Sequence, residues 1–430
     1  MHIIMRSLYI CMKFLIDIVG EAYYKIFGCH LFVGSLARLY DNLDENEKKI
    51  LQEDKFLMEN TSLIFKELSK TKMSLFGHIV TFQYLIRCIK NRAKFEDYYK
   101  NNRHLIDKVE LVKPVFIFTQ PRTGSSFLHC LLANDKSWFA PQTWMQMTLS
   151  ISPSNPFSKF DLNELKKCEK EHHTFRSLNF WNDIKMTHDL DVTDPEDIYF
   201  ELSCYGFFIQ FYSMEGMEEF RHAMDSITTK QWIDIYKKMK RNFKCYMLNY
   251  KERRLLAMNH MCLGNLDAIC QVFPDSKIIT LYRDPIMAIN SLLSLVSIMS
   301  RIYFPYWRCE FSAMKQPVVD LNVNAIVNYF EIRCRIEESE KKTLESSSRF
   351  IDICFNDFVR NPLEQVKKMY SLLEMELNDD TESILSEYIH QQVSHGKLDH
   401  KYKISPIDKD YYYTILQEYI HNFNIEMEKE

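Results

Sequence analysis

The sequence predicts an α/β protein, a central parallel sheet flanked by helices, with a helical extension at its N-terminus. Three observations carry this expectation. From residue 114 onward, short apolar runs alternate with stretches of helical periodicity, the pattern of successive βαβ units. One such run, VFIFT (115–119), feeds the turn Gln120-Pro121-Arg122-Thr123-Gly124-Ser125-Ser126 and then a helical stretch. Another, KIITLY (277–282), runs into Arg283-Asp284-Pro285 and a second helix.

In chain order, residues 1–105 read as charged helices poor in β-branched runs, an extension or cap on a main domain spanning 106–430. Within it, residues 7–20 are apolar but interrupted by Lys13 and Asp17. That is too short and too charged for a spanning helix of about 20 apolar residues, and a poor secretory signal. Leu8, Met12, Leu15, Ile16 and Val19 fall at helical spacing. They predict an amphipathic helix packed on the protein body, the alternative being peripheral contact with a membrane surface. Strands are expected at 114–119, 254–258, 277–282 and 350–354, and helices at 125–134, 263–272, 284–300, 361–374 and 408–425. Asp284 suits a helix cap with Pro285 at the first helical position, and Asn361-Pro362 marks another start.

Composition narrows the function. With 430 residues, 46% hydrophobic, the chain is long enough for one large α/β domain plus an extension. A net charge of −4 leaves no basic excess for bulk nucleic-acid binding. The 12 cysteines are scattered, form no C-x-x-C pair and show no zinc spacing with histidine. No metal is expected, and the thiols suit a reducing compartment, the cytoplasm.

The turn at 120–126 is suited to phosphate. A turn entering a helix presents unpaired backbone N–H groups and the positive end of the helix dipole. Gly124, one of only 9 glycines, lets the backbone approach a ligand closely. Thr123, Ser125 and Ser126 add hydroxyls, and Arg122 adds a rigid cationic fork. The Gly-Lys-Ser/Thr of a nucleotide triphosphatase is missing, which points to a 5′-phosphate held without metal.

These residues resemble a known family. VFIFTQPRTGSSFLHCLLANDKSWFAPQTW (115–144) is similar to the 5′-phosphosulfate loop of PAPS-dependent sulfotransferases, especially the branch with P-R-T/S-G-T-T followed by A-P-x-x-W-E. The family also pairs a strand-terminal Arg with a Ser eight residues later, both on the cofactor's 3′-phosphate; Arg283 and Ser291 have that spacing. Weaker likeness extends over 106–425, through FPDSK (273–277), FNDFVRNPLEQVKKMYSLL (355–373) and HGKLDHKY (395–402), where the family's basic loop would make Lys397 a third contact. The resemblance implies a P-loop-like sulfotransferase fold, PAPS as donor and PAP as product. It implies cofactor binding by Arg122, Thr123, Gly124, Ser125, Ser126, Arg283, Ser291 and Lys397.

Sulfuryl transfer needs a base for the acceptor's proton and donors on the departing phosphate. By resemblance Arg122 and the loop N–H groups are those donors. In cytosolic relatives a Lys-x-His follows the strand before the Arg…Ser motif; here His260 takes the histidine place and Met258 the lysine place. Histidine titrates near neutrality, as a base requires. Other relatives use a glutamate after the loop helix, where this chain has Met145-Gln146. His188, in THDLDVTDPED (187–197), is the fallback base, and His129 reads as structural. The aromatic stretches 199–214 and 301–307 read first as core packing and second as a pocket for an apolar alcohol or phenol. KERR (251–254) is the only dense basic cluster, too little for a heparan-like polysaccharide, so a small or lipid-like hydroxyl acceptor is expected. Missing both the lysine and the glutamate leaves a second reading open: a catalytically impaired PAP/PAPS-binding protein acting as partner or sensor.

Overall fold

The computed structural model describes residues 2–149, 162–176, 191–305, 315–342, 348–394 and 407–428. Five strands, β1 (Val115–Thr119), β2 (Trp138–Phe139), β3 (Arg254–His260), β4 (Lys277–Tyr282) and β5 (Phe350–Cys354), form one sheet. Its order is β2-β3-β1-β4-β5, and every pairing is parallel. Four strands lie where the sequence places them. The two-residue β2 carries too little pattern to be read, and β3 runs on to His260, which pairs in register with Thr119.

Side chains alternate between the two faces of each strand. Val115, Ile117, Leu256, Met258, Ile279 and Leu281 meet Leu128, Leu131 and Leu132 of the helix that follows β1 on one face. Phe116, Phe118, Ala257 and Ile278 belong to the larger core on the other face. A parallel sheet covered on both sides needs near-continuous apolar strands, which explains why these read so plainly.

The helices that bear on the site are α1 (His2–Phe27), α2 (Leu75–Ile106), α3 (Ser125–Ala133), α4 (Thr143–Thr148), α5 (Pro285–Met299) and α6 (Lys315–Lys342). Leu85, Ile89 and Phe95 of α2 share the larger core with the sheet face. The start of α2 also lies close on the segment after Met299: the Ser74 N–H donates to the Tyr303 carbonyl at 2.9 Å, and a Cβ on Gly77 would lie 2.2 Å from that oxygen. The expected helix 408–425 is two, Lys409–Ile415 and Gln417–Asn422. The 28-residue α6 has no counterpart among the expected helices; its Pro317, Val318, Val319 and Val323 are poor helix formers.

One expectation is reversed. On α1 the polar side faces the body: Lys13 and Asp17 are buried as an ion pair, Lys13 Nζ donates to the Phe304 carbonyl at 3.3 Å, and the Phe76 N–H donates to Asp17 at 3.3 Å. Met12, Phe14, Leu15, Ile18 and Val19 are exposed instead. Helical spacing gave the stripe but not its direction, which buried charge pairing decides.

Two buried histidines tie stability to pH. Burial lowers His129, inside α3, to about 4, and burial with neighbouring His30 lowers His78, on α2, to about 3. Unfolded histidines titrate near 6.5. Between about pH 6.5 and the folded values the unfolded chain takes up protons that the folded chain refuses, so stability falls as pH drops through that window. Urea unfolding at pH 7 and pH 5 should show His129→Gln losing about 2 kcal/mol less than the parent over that interval.

Candidate active site

Because all strands run the same way, the ends of β1, β3, β4 and β5 open on one edge. The chain leaves β1 for β2 and β3 on one side and returns as β4 and β5 on the other; such a switch point opens a crevice at the strand ends. The β1–α3 turn lies there.

The turn is held by its own side chains. Thr119 Oγ1 donates to the Leu281 carbonyl of β4 at 2.7 Å. Thr123 is fully buried and its hydroxyl donates to the Gln120 carbonyl at 2.9 Å, so this side chain braces the turn. Arg122 (φ 69°) and Gly124 (φ 86°) are both left-handed. For a non-glycine residue such a conformation persists only where the surroundings hold it. Gly124 caps α3 with no side-chain hydrogen bond, so the N–H groups at the helix start are not consumed by a cap. Ser125 is buried at this start and Ser126 is half-buried beside it.

The β4 motif closes on the turn. The Arg122 Nε donates to Ser291 Oγ of α5 at 3.1 Å, and Arg283 Nη1 donates to the Arg122 carbonyl at 2.8 Å. Gln120 Nε2 donates to the Pro285 carbonyl at 2.9 Å. Asp284 caps α5 by accepting from the Ile286 and Met287 N–H groups at 3.0 and 3.2 Å. Arg122 is thus brought together with Arg283 and Ser291, which lie 161 and 169 residues further along the chain. Arg283 is further engaged: Nε and Nη2 bond the Glu428 carboxylate at 2.6 and 2.9 Å, and the guanidinium lies 4.4 Å from the Phe355 ring centroid.

At the end of β3, His260 faces the same turn, its Nε2 3.3 Å from Ser125 Oγ. Its Nδ1 lies 2.6 Å from Asp197 Oδ2, which also accepts the His260 backbone N–H at 2.7 Å. A carboxylate at Nδ1 keeps the proton there and leaves the Nε2 lone pair toward Ser125. Asp197 is buried, and its own N–H donates to Glu196 Oε1 at 3.0 Å. The Ile198 N–H donates to the Met258 carbonyl at 3.0 Å, which fixes this segment alongside β3.

Asp197 was not among the residues expected to act. Its signal was Pro195-Glu196-Asp197, the acidic end of the stretch that directed attention to His188. His188 and Lys397 lie outside the described residues. Met258 is buried in the sheet core, so the lysine place of the resemblance does not face the crevice through this residue. Met145 is buried on α4, and its neighbour Gln146 donates to the Glu196 carbonyl at 2.9 Å. His129, with Nε2 3.5 Å from the Leu256 carbonyl, is buried and structural. Of the aromatic stretch 199–214, Tyr205, Phe208 and Phe211 are core; Tyr199 and Phe200 are half-buried just after Asp197. Among the described residues, no group of three or more His, Cys, Asp or Glu side chains is arranged to hold a metal.

Comparison with solved structures finds the same fold elsewhere. Sulfotransferase STF9 from Mycobacterium avium superimposes with a TM-score of 0.67 at 17% identity, over 90% of this chain and 98% of that one. Sulfotransferase STF1 from Mycobacterium tuberculosis H37Rv gives 0.62 at 15%, over 94% and 98%. A search among curated proteins finds no match. The sequence model of the sulfotransferase family matches residues 114–379, more than half of the chain and inclusive of both cofactor-type motifs and His260. The chain belongs to the sulfotransferase family.

Proposed function

We propose that this sulfotransferase takes PAPS as donor and passes the sulfuryl group to a hydroxyl of a small or lipid-like acceptor. The observation that carries the reading is the convergence of Arg122, Ser291 and Arg283 beside the Ser125–His260–Asp197 chain. The residues fit such a donor at its 5′ end, where Gly124 and the uncapped start of α3 form a cradle open to an anion. When bound, PAPS supplies a sulfuryl group on a phosphate leaving group. The N–H groups of Gly124–Ser126 and the Arg122 guanidinium hold the 5′-phosphate and stabilise charge developing on it. Ser291 and Arg283, with Lys397 by resemblance, hold the 3′-phosphate. His260 Nε2 receives the acceptor's hydroxyl proton, and the Asp197 carboxyl group steadies the ring through Nδ1.

The competing reading, nucleotide binding without transfer, rests on the methionines at 145 and 258. Asp197 weighs against it, because it supplies a carboxylate beside His260 that neither methionine position offers. Transfer measured with radiolabelled PAPS and a panel of phenols and sterols should fall by about 10²-fold or more in His260→Ala. Asp197→Asn should lower kcat with little change in PAP affinity. Unchanged turnover in both variants would remove His260 as base. Arg122→Ala and Arg283→Ala should each weaken PAP binding by about tenfold or more in calorimetry, the worth of a charged hydrogen bond.

We place the protein in the cytoplasm, on its scattered cysteines, free among the described residues, with α1 against a lipid surface. The outward row of Met12, Phe14, Leu15, Ile18 and Val19 supports this, as does its continuation through Tyr24, Ile26 and Phe27. Exposed Lys25, within this continuation, complements anionic headgroups. The apolar stretch Pro285–Ile302 is long enough to cross a bilayer, yet 61% of it is buried in the protein. Co-sedimentation with phosphatidylserine/phosphatidylcholine vesicles should be lost when Leu15 and Ile18 become aspartate; equal sedimentation of parent and variant would exclude the lipid contact.

A further inference from the structure

The guanidinium fork of Arg283 already holds an anion, and that anion belongs to the chain itself. Glu428 Oε1 and Oε2 accept from Nε and Nη2 at 2.6 and 2.9 Å. The pair is mostly buried, its side chains 13% and 21% exposed. This is the bidentate geometry by which arginine grips a carboxylate or a phosphate, through the same donors. The third nitrogen, Nη1, is committed to the Arg122 carbonyl.

The carboxylate is delivered by a built segment. Ile425 is buried in the main core, and Asn356 Nδ2 donates to Glu426 Oε2 at 2.7 Å. The Glu428 N–H donates to Asp284 Oδ2 at 3.0 Å. The Tyr413 hydroxyl bonds the same Asp284 carboxylate, at 3.1 Å to Oδ2. Arg283, Asp284, Cys354, Phe355, Asn356, Ile425 and Glu428 line one concavity at the ends of β4 and β5. The segment is thus anchored to the cap of α5, the helix that carries Ser291.

We propose that Ile425–Glu428 is an intramolecular stand-in for the 3′-phosphate, occupying Arg283 until nucleotide binds and yielding it then. The inference rests on the PAPS reading above. A carboxylate and a phosphate dianion on one fork repel each other at contact distance, so the two exclude one another. Tethered at high effective concentration, Glu428 lowers the net affinity for the doubly phosphorylated nucleotide. It also re-covers Arg283 as the product leaves, so the arginine is never left buried and unpaired, and release of the desulfated nucleotide is eased.

Calorimetry with PAP and with adenosine 5′-monophosphate, which lacks the 3′-phosphate, separates the possibilities. The proteins are the full chain, Glu428→Gln and a chain ended after Met427. The expected result is PAP binding tighter by about tenfold or more in both variants, the worth of a charged hydrogen bond, with monophosphate affinity unchanged. Without nucleotide, both variants should melt at a lower temperature than the full chain, and PAP should raise their melting temperature by more. Equal PAP affinity in all three proteins overturns the stand-in. So does weaker PAP binding in Glu428→Gln, which would make Glu428 an orienting partner of Arg283. Equal tightening of both nucleotides overturns the assignment to the 3′ position. Failure of PAP to bind any of the three proteins removes the cofactor reading itself and leaves the Arg283–Glu428 pair a structural contact.

Discussion

The parallel alignment of β1 between β3 and β4 is the constraint on which the site depends. It puts Thr119 level with His260 and sends both neighbouring strands to the same edge. Arg122, Gly124, Ser125, His260 and Arg283 then hang from a strand terminus or the turn after it, Ser291 lies on the helix that follows β4, and Asp197 comes from a segment laid beside β3. The hydrogen bond from Arg283 to the Arg122 carbonyl makes the arrangement specific, because it joins the β1 turn to the end of β4. Gln120 to Pro285 and Arg122 to Ser291 repeat the link at two further points. The left-handed backbone at Arg122 is sustained by this triple attachment, since an unsupported turn would relax to a commoner conformation.

Within that frame, charge is arranged in two tiers. The cationic tier, Arg122 and Arg283, lies around the mouth of the turn. The acidic tier, Glu196 and Asp197, lies behind His260 and is buried. A histidine between them has one nitrogen on a carboxylate and the other toward Ser125. Burying a carboxylate is costly unless donors surround it. Here the His260 backbone N–H and the His260 ring both meet Asp197 Oδ2, while Glu196 accepts the Asp197 N–H and the Ile198 N–H bonds the Met258 carbonyl, which hold the segment's backbone.

Much of this was legible in the sequence because it rests on local rules. Doubly covered parallel strands are near-continuously apolar, so 115–119 and 277–282 stood out, and the edge strand 350–354 still showed as an apolar run around one exposed Asp352. Turn and cap chemistry exposed Gly124, Asp284 and Pro285. What was not legible depends on contacts between distant segments. Asp197 is an ordinary acidic residue until the segment after Pro195 is laid beside β3. Thr123 looked like another hydroxyl facing the ligand, and only the folded turn commits it to Gln120. Glu428 gave no sign at all, because a lone carboxylate carries no periodicity and its arginine lies 145 residues away. The aromatic residues of 199–214 were ambiguous by composition, and most of them are core.

The buried pair on α1 has a consequence for how that helix behaves as a rigid body. Lys13 reaches the Phe304 carbonyl and Asp17 accepts from the Phe76 N–H, so both ions are keyed to fixed backbone groups on the hidden side. Rolling the cylinder about its axis to conceal its greasy flank would strip those keys and carry two charges past apolar neighbours. The azimuth of α1 is therefore locked, and its outward oiliness is an enforced orientation, maintained whether or not anything rests upon it.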